Sequence, residues 1–62
     1  MELKYNLREI DDKIKIIKET AEQMVQMSDD FPSLYRNSRR ILASIKMLEI
    51  NISDINDLLD LN

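Results

Sequence analysis

The sequence predicts an all-α fold, an antiparallel hairpin of two long helices that dimerises into a four-helix bundle. Apolar residues recur at alternating steps of four and three in both halves of the 62-residue chain. A short segment that holds the only Pro separates the halves. The halves also match, apolar against apolar, when the chain is folded back at that segment. The alternation with a period of two that strands need is not sustained anywhere.

The first predicted helix covers about residues 3–28. Sustained heptad spacing of this kind is typical of helices that pack along a narrow seam, as in coiled coils and bundles. The seam positions of this helix and of the turn after it are Leu3, Leu7, Ile10, Ile14, Ile17, Ala21, Met24, Ser28 and Phe31.

The predicted turn covers about residues 29–33. Phe31 precedes Pro32 and is therefore disfavoured in the α region. Pro itself is tolerated in the first turn of a helix but not inside one. Asp30 and Ser33 are both suitable caps for the second helix, and the sequence does not choose between them. A connection this short makes the two helices antiparallel neighbours.

The second predicted helix covers about residues 34–60, so that one helical-hairpin domain occupies residues 1–62. Its seam positions are Leu34, Ser38, Ile41, Ile45, Leu48, Ile52, Ile55, Leu59 and Asn62. Folding at the turn sets Ala21 beside Ile45 and Ile17 beside Leu48. The predicted core of the hairpin and its dimer consists of Leu7, Ile10, Ile14, Ile17, Ala21, Met24, Ile41, Ile45, Leu48, Ile52, Ile55 and Leu59.

A homodimer is expected because a two-helix monomer would leave half of each seam residue in water. The second helix is also apolar outside its seam, and a soluble monomer rarely exposes so much contiguous apolar surface. Two paired hairpins would cover this surface in a four-helix bundle. The additional apolar residues are Tyr35, Leu42, Met47, Ile50, Leu58 and Leu61.

The composition excludes several classes of function. The chain has no Cys, His or Gly, so it lacks the residues of disulfides, of the usual transition-metal sites and of Gly-rich phosphate loops. The seam carries no ionisable side chain from which a buried catalytic site could be built. We therefore expect no enzyme activity, no cofactor or metal, and no small-molecule substrate.

The beginning of the sequence and its charge bear on location and partners. Residues 1–6 lack the apolar segment of a signal peptide, and no apolar run is long enough to span a membrane. We therefore expect a cytoplasmic protein without a membrane partner. The formal net charge of −3 is opposite in sign to that of most nucleic-acid binders.

Arg36, Arg39 and Arg40 form the most distinctive local cluster. Their spacing places them on one side of a helix, and Arg suits contacts with phosphate or carboxylate. They also oppose the dipole of the second helix. Three interpretations stay open: pairing across the hairpin with the nearby acids, pairing with Asp54, Asp57 and Asp60 of a second copy, or contact with an anionic ligand. The nearby acids are Glu19, Glu22, Asp29 and Asp30.

Ala43, Met47 and Ile50 form a second feature, an apolar stripe at outer heptad positions of the second helix. Such a stripe is typical of a docking site for a partner helix, and Met is common on adaptable binding surfaces. The alternative is that the dimer interface covers the stripe.

These features predict a small, non-enzymatic interaction or regulatory module. We expect it to bind itself, and to bind another protein through Ala43, Met47, Ile50 and the three arginines. A second interpretation comes from the length and architecture of the chain, which resemble the Rop-like regulators, small hairpins that dimerise into four-helix bundles and bind paired RNA loops. That resemblance implies RNA binding through Arg36, Arg39 and Arg40. A third interpretation is a structural subunit of a larger complex.

Overall fold

The computed structural model describes residues 6–60, with side chains described up to residue 58. Two helices, α1 (Leu7–Gln26) and α2 (Pro32–Asp60), pack against each other as a hairpin that measures 50 × 16 × 14 Å. The prediction of an all-helical hairpin is confirmed. Over the described residues, neither helix is both long and apolar enough to cross a membrane.

α1 begins later than the sequence pattern predicted, because Asn6 caps it. Asn6 is extended, with φ −97° and ψ 105°, and its side chain accepts a hydrogen bond of 3.1 Å from the backbone N–H of Glu9. The Asn6 carbonyl accepts the first helical bond, from the N–H of Ile10 at 3.1 Å. An Asn cap satisfies an N–H group that a helix start otherwise leaves unpaired. Seam position Leu3 lies outside the described residues.

The connection is a tight turn over residues 27–31. The N–H of Met27 donates to the carbonyls of Gln23 and Met24, which closes α1. The hydroxyl of Ser28 donates to the carbonyl of Val25 at 2.6 Å. The N–H of Phe31 then donates to the carbonyl of Ser28 at 3.0 Å.

α2 begins two residues earlier than predicted, at Pro32. Pro fits the first helical position because the N–H it lacks has no helical partner there. The N–H of Tyr35 donates to the carbonyl of Phe31 at 3.0 Å, so Phe31 is the residue that precedes the helix. Neither Asp30 nor Ser33, the two caps suggested by the sequence, takes that position.

The hydrophobic core is small. Only Ile14, Ala21 and Ile45 are buried apolar residues among those described, at 1–4% exposure. Three further apolar residues pack against this cluster and remain partly exposed. They are Met24, Leu42 and Ile52.

An ion pair between the helices indicates their register. Lys18 Nζ lies 3.3 Å from Glu49 Oε2. Lys18 precedes Ala21 by three residues, and Glu49 follows Ile45 by four, as expected if Ala21 lies beside Ile45 in an antiparallel pair. The register agrees with the one inferred from the apolar pattern.

Of the twelve core positions predicted from the sequence, the hairpin fully buries three, Ile14, Ala21 and Ile45. Positions seven residues apart face the other helix, and the seam positions between them are covered only in part. Ile10, Ile17, Ile41 and Leu48 belong to this second group and are 36–46% exposed. The contact is centred on the row that contains Ile14 and Ala21 in α1 and Ile45 in α2, so the neighbouring row of each helix lies at its edge. Of the remaining predicted core, Leu7 and Ile55 are partly exposed, and the side chain of Leu59 is not described.

Two seam serines, Ser28 and Ser38, are buried close to the turn, at 3% and 1% exposure. The hydroxyl of Ser28 is hydrogen-bonded, as described above. The hydroxyl of Ser38 has no hydrogen-bond partner within the part of the chain that the structure describes. A buried polar group without a partner is destabilising.

Ser38→Ala is therefore expected to raise the free energy of unfolding by about 1 kcal/mol, since an unsatisfied buried hydroxyl costs about 1–3 kcal/mol. The measurement is urea or thermal unfolding followed by helical circular dichroism at one fixed chain concentration. The matched control is Ser28→Ala, which removes a bonded hydroxyl and should lower the free energy of unfolding by about 0.5–1.5 kcal/mol. Equal destabilisation by both variants would contradict the conclusion that the Ser38 hydroxyl, unlike that of Ser28, lacks a hydrogen-bond partner.

Candidate interaction surfaces

The residues that flank the buried line fall on two opposite sides of the hairpin. Successive helical residues are about 100° apart, so Ile17 and Lys18 flank the buried line of α1 on opposite sides. Leu48 and Glu49 flank the buried line of α2 in the same way. The ion pair brings Lys18 and Glu49 together on one side. Ile17 and Leu48 therefore share the other side.

The side that carries Lys18 and Glu49 is charged. A second ion pair joins Lys15 Nζ to Asp11 Oδ2 at 3.2 Å on the same side of α1. These are the two ion pairs found among residues 6–58. Each is at the surface and contributes about 0–1 kcal/mol. Their consequence is that this side of the hairpin is suited to water.

The opposite side is apolar, and we call it the open face. It combines one row of seam residues from each helix. Four of its members leave about two fifths of their area in water, which is unusual for residues at seam positions. The open face consists of Ile10, Ile17 and Met24 from α1 and of Ile41, Leu48 and Ile55 from α2.

A second surface lies on the side of α2 turned away from α1, and we call it the outer stripe. It contains all six residues that the sequence singled out for partner binding. Met47 is 58% exposed and Ile50 is 42% exposed. The other four are also exposed, so the structure places the whole set together in solvent. The outer stripe consists of Arg36, Arg39, Arg40, Ala43, Met47 and Ile50.

The three arginines form no ion pair with an acidic side chain among the described residues. Among residues 6–58, no carboxylate oxygen lies within 4.0 Å of Arg36, Arg39 or Arg40. The reason is geometric, because the register sets Gln26, the last residue of α1, opposite Arg40. Arg36 and Arg39 therefore lie beyond the end of α1, and Glu22 lies about one turn back from that end. Pairing across the hairpin, the first of the three interpretations, does not occur among these residues.

The early start of α2 also reduces the conflict between the arginines and the helix dipole. The dipole acts mainly within the first and last turns of a helix. Since α2 begins at Pro32, Arg36 and Arg39 lie in its second turn, and Arg40 begins the third. A helix that began at residue 34 would have placed Arg36 in the first turn.

The arginines line a wide, open cleft beside the turn. The first two turns of α2 extend past the end of α1, and only the turn residues pack alongside them. The cleft therefore combines cationic side chains with one acidic side chain from the turn. Its lining residues are Ser28, Asp29, Pro32, Tyr35, Arg36, Arg39, Arg40 and Ala43.

Sequence reasoning missed the ion pair between Lys18 and Glu49. The apolar pattern predicted that Ile17 and Leu48 contact each other at this height of the hairpin. These residues precede Lys18 and Glu49 by one position in each helix. The sequence does contain a signal for this pair. Lys18 and Glu49 carry opposite charges, and the antiparallel register places them side by side. Among the described residues, no group of three acidic side chains is placed to hold a metal ion.

Comparisons with protein-family models, curated proteins and solved structures found no match to this chain. The open face and the outer stripe are therefore the two features from which a function can be inferred.

Proposed function

We propose that this chain is a non-enzymatic helical interaction module that dimerises through its open face into a four-helix bundle. The outer stripe of each copy then binds another protein chain. One observation carries the proposal: large apolar side chains from both helices lie on the same side of the hairpin and stay 36–46% exposed. The proposal includes a cytoplasmic location, since the Cys-free chain uses no disulfide.

The open face gives a reason for dimerisation, because a single hairpin leaves its apolar side chains partly exposed. Complete burial of an Ile or Leu side chain contributes about 1.5–3 kcal/mol, and the core of one hairpin gains this fully from only a few residues. Two hairpins stacked face to face would cover both apolar rows. The ion pair between Lys18 and Glu49 would stay outside, where its charges remain hydrated.

The outer stripe would remain accessible after such pairing. Met47 points about 100° away from Leu48 around the axis of α2, so a hairpin stacked on the open face leaves Met47 exposed. An apolar stripe with arginines at one end is typical of a surface that receives a partner helix. The flexible side chain of Met47 suits such a contact.

We expect Ile17→Asp to halve the assembly mass compared with Ile16→Asp. The two isoleucines are neighbours on α1, but Ile17 belongs to the open face and Ile16, which is 56% exposed, lies on the outside. A buried carboxylate at the interface is costly to desolvate. Sedimentation equilibrium in 0.5 M NaCl, where surface charges are screened, is the measurement, with one chain contributing 7.4 kDa.

Equal masses for the two aspartate variants would exclude the open face as the dimer interface. A wild-type chain that stays helical and monomeric at all concentrations would do the same. A wild-type chain that only aggregates when purified alone would instead support the third interpretation, a structural subunit of a larger complex.

Met47→Asp and Arg39→Glu are expected to abolish capture of protein partners by the immobilised chain. Both residues are exposed, so the substitutions should leave the helical content unchanged. The matched controls are Met27→Asp in the turn and Arg8→Glu in α1, which carry the same changes outside the stripe. Retention by both stripe variants of every partner that wild type retains would disprove this use of the stripe.

RNA binding is the second candidate function, because three arginines without an ion-pair partner among the described residues line one cleft. Against it stand the net charge of −3 and the presence of Asp29 in the same cleft.

This candidate predicts that RNA affinity falls with salt, with a log–log slope of about −2 to −3 for three phosphate contacts. Arg39→Ala should weaken the binding of a hairpin-loop RNA, whereas Arg8→Ala in α1 should not. The measurement is fluorescence anisotropy over a salt series. No binding at low salt would remove the candidate.

A further inference from the structure

We propose that the outer stripe binds the outer stripe of a second copy, so that α2 pairs with α2 in antiparallel orientation across a two-fold axis at Met47. The inference rests on the proposed function, which uses the outer stripe as a contact surface, and it names the partner.

The heptad spacing of the outer stripe continues beyond Ile50 into two acids, Asp54 and Asp57. From Arg36 onwards the steps alternate between four and three, as they do along a coiled-coil seam. Without Arg39, which lies beside this line, the outer stripe and the two acids form three zones along α2: basic, apolar and acidic. The residues in order are Arg36, Arg40, Ala43, Met47, Ile50, Asp54 and Asp57, and all of them are exposed.

The order of these residues is self-complementary when the chain direction is reversed. With Met47 opposite Met47 of a second copy, Ala43 meets Ile50, and the basic end meets the acidic end. Arg40 then lies at the level of Asp54, and Arg36 at the level of Asp57. The two-fold axis makes each of these pairings occur twice. A parallel arrangement would instead set Arg against Arg and Asp against Asp, which is repulsive.

The charged groups at both ends of the stripe are available for such pairing. Among residues 6–58, neither the two arginines nor Asp54 and Asp57 take part in an ion pair. In the antiparallel pair each arginine gains a carboxylate partner, and Arg–carboxylate contacts are directional and strong for surface ion pairs.

The apolar zone fits a close helix–helix contact. The short side chain of Ala43 faces the longer side chain of Ile50 on both sides of the axis, so that large residues meet small ones across the contact. Met47, which has three rotatable bonds, meets its own copy at the axis and can adapt to it. This zone supplies the apolar burial, and the charges at the ends set direction and register.

The stripe contact and the open-face contact are compatible in one assembly. They use sides of α2 that are about 100° apart, and they share none of the stripe residues. Dimers formed through open faces would therefore associate further through their stripes. The consequence is a module that builds assemblies larger than a dimer.

The first test uses charge exchange in the Ile17→Asp background, in which the open face is disabled. One variant carries Arg36→Glu and Arg40→Glu, and the other carries Asp54→Arg and Asp57→Arg. Each alone is expected to associate at least about tenfold more weakly than the Ile17→Asp chain, because like charges meet. An equimolar mixture should recover the association, because every contact is then between opposite charges. Sedimentation equilibrium at low salt measures both results, and recovery in the mixture also shows that both variants fold.

The second test is crosslinking through single introduced cysteines. The chain has no Cys of its own, so any disulfide must form between the introduced residues. Met47→Cys places two thiols at the proposed axis and should give a disulfide-linked dimer when diamide is added. Ser44→Cys, on an exposed side of the same helix, should give much less.

A mixture no heavier than its separate components, or equal crosslinking of the two cysteine variants, would overturn the proposal. The proposed function is tested separately by the Ile17→Asp and Ile16→Asp pair. Loss of a captured partner in Met47→Asp, together with no recovery in the charge-exchange mixture, would mean that the stripe binds the helix of another protein. That result would retain the proposed function and exclude the second copy as the partner.

Discussion

The structure depends on the narrowness of the contact between two helices. Each helix has one neighbour, and the shared line admits only Ile14, Ala21 and Ile45 as buried apolar residues among those described. A core of this size gives little stability to a chain of 62 residues. The remaining apolar residues of the heptad pattern that the structure describes stay partly or largely exposed on the single hairpin. The surface properties of this chain therefore follow directly from the limits of its core.

The ion pair between Lys18 and Glu49 shows how the helices are rotated against each other. Its own contribution to stability is small, since both side chains are about 40% exposed. Two charged residues lie on one side of the seam in this arrangement, and Ile17 and Leu48 lie on the other. A contact rotated in the opposite sense would bury these two residues and leave the charged pair without a role. The same rotation of the helices therefore exposes the open face and allows the ion pair between Lys18 and Glu49 on the opposite side.

The sequence predicts the two helices and their register because the heptad pattern and the break at Pro32 are strong. It does not predict the rotation of the helices, since the heptad stripe contains both Ile14 and Ile17, and the pattern does not say which of them lies at the centre of the contact. The cap at Asn6 was readable from its spacing to Glu9, but the apolar pattern extended past it. The absence of partners for Arg36 depends on where α1 ends, which the pattern placed two residues too late.

Within the described part of the hairpin, the charged residues at the two ends of α2 form no ion pair. The last turn of α2 contains Asp57 and Asp60, where the helix dipole favours cations. The arginines at the other end have no carboxylate within reach among the described residues. Solubility alone does not require basic residues at the start of a helix and acidic residues at its end. The reverse order would stabilise the helix through its dipole. The observed order is favourable when α2 meets a helix of opposite direction and the same order, since each end then faces its opposite charge. A second copy of α2 in antiparallel orientation is such a helix, so no other protein with this charge order is needed.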